Sequence, residues 1–219
     1  MPLLDSAENL GSQVHIATIC RQLRFLTAQM LDAGSSMGPI SESEMMTFCD
    51  ARSLIEHSLL SMSSTAATDQ NPDTDSLEGQ RLAALIYLNA VLRNCSPNGA
   101  LMRSLRKQLM DAIQVVEEPA LLLNHRPRTV IWIYSMGGLV SLDNADRRWF
   151  AERIARIMVN AKIDSWEEAK RTHREAVWVD ELKTTLWNSL WGEVQEIRIS
   201  ASASEGTAGA GFEYTFPWI

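Results

Sequence analysis

Fourteen consecutive residues, Thr129 to Leu142, carry no charge and are apolar at most positions. Pro127 stands just ahead of them and Asp143-Asn144 just behind. Proline suits the first position of a helix, and Asp and Asn suit the cap of the next one. A helix that is apolar nearly all round has to be covered on every side. This one is too short to be covered by lipid, since a membrane helix needs about 20 such residues. The stretch therefore predicts a buried central helix near 128–142, with other helices packed around it.

The rest of the chain supplies those helices. Val14, Ile16, Ile19, Leu23, Leu26 and Met30 keep near-helical spacing, and Gly34 closes that segment. Ser41 with Glu44 forms a capping box for a helix reaching Met62. Further on, Leu82, Leu85, Ile86, Leu88 and Leu92 mark a helix over 77–95. Ser96-Pro97 reads as the start of another, through Leu101, Leu105, Leu109 and Ile113. Asp143 and Asn144 cap a helix over 147–161, Ser165 with Glu168 caps the next, and 182–197 is the last. No segment alternates as a strand would. The expected fold is all-α, a multi-helix array of about eight helices.

Punctuation in the sequence divides the array. Residues 1–64 form an N-terminal helical pair, and 65–75, polar and broken by Pro72, form a linker or surface loop. Residues 76–199 form the main helical region. Residues 200–219 begin SASASEGTAGAG and read as a disordered tail, although they close on the aromatic string FEYTFPWI. That ending either docks back on the body or is a read-through remnant.

Charge and cysteine content narrow the function classes. Twenty Lys and Arg stand against 27 Asp and Glu, a net charge of −7. A chain built mainly to grip phosphates is usually basic. The charge is uneven: −5 over residues 1–70, +4 over 126–162 and −5 again over 163–219. The basic centre reads as a partner for the acidic flanks rather than as a nucleic-acid patch. Within it, Glu152 lies within i, i+4 reach of Arg148 and Arg156, the pattern of a solvated, salt-bridged face. Cys20, Cys49 and Cys95 are odd in number and far apart, so neither a disulfide framework nor a zinc site is expected. The opening MPLLDSAENL has no basic stretch of the signal-peptide kind, and no membrane segment is expected.

One string invites a catalytic reading. Ser135-Met136-Gly137-Gly138 resembles the nucleophile elbow of esterases, with His173 downstream and Asp143, Asp146 and Asp164 between. The glycine that the elbow needs two residues before its serine is Ile133 here, and no strand-helix alternation precedes it. The competing reading is a notch of small residues, Ser135, Gly137 and Gly138, that lets two buried helices approach. His15, His57, His125 and His173 show no metal-ligand spacing, and no phosphate-binding glycine loop is present. No metal and no cofactor is expected. Ten Met and seven Trp read first as core, and Trp132, Met136 and Trp149 are the candidate walls of a ligand pocket.

The second half of the chain resembles a known family. LAALIYLNAVLRNC (82–95), LRKQLMDAI (105–113), RPRTVIWIYSMGGLVSL (126–142) and RRWFAERIARI (147–157) are similar to the helical regulatory domain of fungal-specific transcription factors of the zinc-cluster class. So is 163–194, with Trp149-Phe150, Trp166, Trp178 and Trp191 as marking aromatics. The resemblance implies a nuclear, non-enzymatic regulatory scaffold that acts through a protein partner, self-association or a small effector. The six-cysteine cluster and basic linker of that class are not in this sequence, so direct DNA binding by this chain alone is not expected. A serine hydrolase using Ser135 and a decayed gene product are the alternative readings. Outside the nucleus, the expected location is the cytoplasm.

Overall fold

The computed structural model describes residues 2–35, 41–62, 72–115, 127–165, 168–169 and 184–207. Among them are seven α-helices and no strand, so the fold is all-α. They are α1 (Pro2–Ser35), α2 (Glu42–Ser61), α3 (Pro72–Tyr87), α4 (Ala100–Val115), α5 (Pro127–Val140), α6 (Asn144–Asn160) and α7 (Thr184–Thr207). α3 runs on into a π-helical turn, Leu88–Leu92, whose five residues are all buried.

α5 is the expected central helix. Every residue from Val130 to Val140 is buried, and Trp132 and Tyr134 are among the largest side chains closed off from solvent. α5 packs chiefly on α6 and α3, and also on α4 and α7. A second hub is α3, which touches α4, α5, α1 and α2. α4 shows how such a hub is covered. It turns Met102, Leu105, Leu109 and Ile113 inward, three or four residues apart, while Arg103 and Lys107 stay exposed.

The local signals act largely as read. Ser41 Oγ accepts from the Glu44 N–H at 3.2 Å, and the Ser41 N–H donates back to Glu44 Oε2 at 2.9 Å. The Ser41 hydroxyl, which donates to Glu44 Oε2 at 2.7 Å, and then the Ser41 N–H hold the Glu44 carboxyl below its ordinary pKa. Asp143 caps α6 through the Ala145 N–H at 2.7 Å. At the other end of α6, Lys162 takes a left-handed φ of 54°. The Ile163 N–H then reaches Met158 O at 2.9 Å and the Lys162 N–H reaches Val159 O at 3.1 Å, a Schellman closure without glycine. The Glu168 N–H donates to Ser165 Oγ at 3.1 Å as expected, but the helix this would start lies outside the described residues.

Several boundaries move. α1 starts at Pro2, well ahead of the periodic stripe. Val14, read as part of that stripe, is exposed. Two residues before Ile16 it lies about 200° round the helix, on the far side. α3 begins at Pro72, inside the expected linker 65–75, whose residues 65–71 lie outside the described ones. α4 begins at Ala100, not at Pro97: Ser96 instead accepts from the Asn98 N–H at its Oγ and the Gly99 N–H at its carbonyl, closing a turn first. α7 continues to Thr207, into the stretch expected to be a disordered tail. Ser200 there donates back to Glu196 O at 2.8 Å. FEYTFPWI lies outside the described residues.

Candidate functional site

Ser135 stands in the middle of α5 and is buried. It is not at a strand-to-helix turn, so the strained geometry that exposes an esterase serine is not built here. His173 lies outside the described residues. The two glycines after Ser135 do what small residues do between helices. A Cβ on Gly137 would fall onto the ring of Phe150 of α6, and one on Gly138 would sit 2.9 Å from Leu190 of α7. The string is therefore the notch through which α5 receives α6 and α7.

Aromatic rings and one ion pair surround that notch. Phe150 meets Trp149 edge-on at 4.9 Å between centroids and Tyr134 at 6.3 Å. Arg153 stacks its guanidinium 3.6 Å above the Trp149 ring, the distance of a cation–π contact. Arg147, also buried, donates from Nε to Glu193 Oε1 of α7 at 2.5 Å, while its Nη2 is buried without a partner. This pair joins the basic centre of the sequence to an acidic flank. Arg148 turns to Glu152 of its own helix at 2.9 Å, and Arg106 of α4 ties down Asp146 at 3.1 Å.

Between α5, α6 and α7 lies a cavity of about 10 Å³, room for roughly one water. Ser135, Met158, Trp187 and Trp191 are on its wall. Of the three residues proposed as pocket walls, Trp132 and Met136 are fully buried in α5, and half-buried Trp149 lies under Arg153. None of the three borders this cavity.

The N-terminal pair is joined to the rest by polar contacts. Thr27 of α1 donates its hydroxyl to Leu23 O at 2.7 Å, and its Oγ1 lies 2.9 Å from the Tyr87 hydroxyl of α3. Glu56 of α2 forks both oxygens onto Arg93 at 2.5 Å, and Arg81 Nη1 donates to Leu59 O at the end of α2. Burial pushes the Tyr87 phenol well above its ordinary range, and it pushes the Cys20 thiol up to about 11 against a smaller lowering by Arg24. Cys20, Cys49 and Cys95 are free thiols, each half-buried. Among the described residues no group of three or more His, Cys, Asp or Glu side chains is placed to hold a metal ion. No helix among them is long and apolar enough to cross a membrane.

What the sequence reading missed is the outer surface of the pair. Phe25, Met45, Met46, Leu54 and Leu60 are large apolar side chains in contact with solvent. The adjacent pairs Met45-Met46 and Leu59-Leu60 carried the signal, because neighbouring positions lie about 100° apart and cannot share a narrow buried stripe.

The central buried helix, its glycine notch and the helices packed on them fall within one family match. The model for the fungal specific transcription factor domain matches residues 10–198, from α1 into α7. No curated protein and no solved structure matches the chain. With most of its length covered, and with an all-α array over the matched residues, the chain belongs to the fungal specific transcription factor domain family.

Proposed function

We propose that this chain is a non-enzymatic regulatory domain that influences transcription in the nucleus through protein contacts. The observation that carries this reading, beyond the family itself, is the solvent-facing apolar surface of α2 and α1. Exposed apolar side chains gathered on one region mark surfaces that meet other proteins. A small effector is the less favoured route. The cavity beside Ser135 has room for roughly one water, and Trp132 and Met136 are fully buried in α5.

The test is to fuse the full chain to an unrelated DNA-binding module in a fungal host and read a reporter placed beside the matching site. We expect reporter output to rise or fall several-fold, and Leu54→Lys/Leu60→Lys to remove most of that change. A well-expressed nuclear fusion that leaves the reporter untouched would overturn the reading. Labelling of the purified chain by a fluorophosphonate, lost in Ser135→Ala, would replace it with hydrolase chemistry.

A further inference from the structure

α2 is twenty residues long, yet only Ile55 and Leu59 of it are fully buried. Met46, Leu54 and Leu60 are 61%, 69% and 63% exposed. At about 100° per residue these three share roughly a third of the helix circumference, turned away from the side that carries Ile55 and Leu59. Glu42, Asp50 and His57 lie in the same arc, all exposed, two carboxylates against one imidazole. Its basic neighbour Arg52 is half-buried outside the arc, with its guanidinium over the Phe48 ring. The outer face of α2 is thus apolar and acidic.

α6 has the opposite outer face. Phe150, Ala151, Ile154, Ala155, Ile157 and Met158 are buried. On the other side Arg148, Arg156 and Val159 are exposed, with Val159 at 59%, and the Arg153–Trp149 stack flanks them. Glu152 is the acidic residue among them, and it leaves the face positive.

Two copies of the α2 face laid together would set carboxylate against carboxylate. Laid on α6 of another molecule, the same face would meet arginines and an exposed valine. We propose that this chain self-associates by docking the acidic Met/Leu face of α2 on the arginine-rich face of α6 of a second copy. The arginines need not be free for this. A guanidinium has five N–H donors, so Arg148 can serve Glu152 and a partner carboxylate together. Because every copy carries both faces, the contact is heterologous and adds copies head to tail, into a ring where the rotation closes and an open filament where it does not. The proposal shares the α2 face with the transcriptional reading, but the two fail separately: the reporter tests one, and mass in solution tests the other.

The experiment is sedimentation velocity on the full chain across the micromolar range. Salt is raised from about 0.01 M to about 1 M, which shortens the Debye length from ~30 Å to ~3 Å. We expect concentration-dependent assembly that weakens about tenfold or more over that range. Leu54→Lys/Leu60→Lys and Arg148→Glu/Arg156→Glu should each be monomeric alone, with an unchanged circular dichroism spectrum. Mixed one to one, they keep a single matching pair of faces and should stop at a dimer. If the arginine variant does not fold, Val159→Asp takes its place in the mixture. A wild type that stays monomeric throughout overturns the proposal. So does assembly indifferent to salt, assembly that survives in either variant alone, or a mixture that makes no dimer.

Discussion

The two ends of this molecule are held by different means. Around α5 the helices interlock: Phe150 and Leu190 sit where Gly137 and Gly138 have no side chain, and the residues from Val130 to Val140 are all buried. α1 and α2 are instead fastened to α3 by a narrower apolar strip with Ile16, Ile19, Leu23 and Leu59, and by three polar links. Interlocked packing is intolerant of volume change, and the Arg147–Glu193 pair adds a charged link between α6 and α7 there. A polar clasp tolerates volume change outside it and responds to the charge state of its members. The molecule thus couples an interlocked centre to an end whose outer surface exposes large apolar side chains.

The sharpest way to break this contrast is to fill the notch. Gly137→Leu would drive a side chain into Phe150 and should cost about 3 kcal/mol or more, a large share of the about 5–15 kcal/mol that holds an ordinary domain folded. Urea denaturation followed by circular dichroism reads it, and a near-native midpoint would show that α6 is not seated as described. The neighbours Leu59 and Leu60 sharpen the contrast within the outer pair. Leu59→Ala removes a fully buried side chain and should cost about 2–5 kcal/mol. Leu60→Ala, one residue on and 63% exposed, should stay within about 0.5 kcal/mol of the wild type. Equal effects would mean that α2 is rotated from its described setting.

The smallest effect is the most specific to the clasp. Cys20 and Tyr87 both hold their protons more tightly in the folded chain than when unfolded. The unfolded chain therefore releases them first, from about pH 9 for the thiol, and folding weakens as pH rises through about 11. Below pH 9 neither group changes stability with pH. We expect thermal midpoints to decline over that window, with tryptic cuts appearing first at Arg21 and Arg24 of α1. Tyr87→Phe should lose the Thr27 contact at neutral pH and show a shallower alkaline decline. A decline of equal slope in that variant would remove the phenol from the account.

Much of the architecture was legible in the chain. The uncharged run over 129–142 required a covered helix, because no membrane could cover so short a stretch. Small residues at 135, 137 and 138 read correctly as a notch, since their lack of volume is a local property. Caps at Ser41 and Asp143 were legible for the same reason, as each is a contact between residues two or three positions apart. The aromatic positions carried the family resemblance, because large side chains in a core are constrained by everything around them. Val14 and the outer residues of α2 were harder, since apolar composition does not say which side of a helix is covered.

Helix class, the buried centre and its notch were therefore fixed by side-chain chemistry and spacing along one segment. Tertiary structure alone decided that Phe150 and Leu190 fill the notch and that Arg147 reaches Glu193, 46 residues away. It also decided that Arg93 clasps Glu56, and that Met46, Leu54 and Leu60 face solvent. Such facts depend on the relative rotation and approach of separate helices, set by the mutual fit of many side chains. No single stretch of sequence contains that fit.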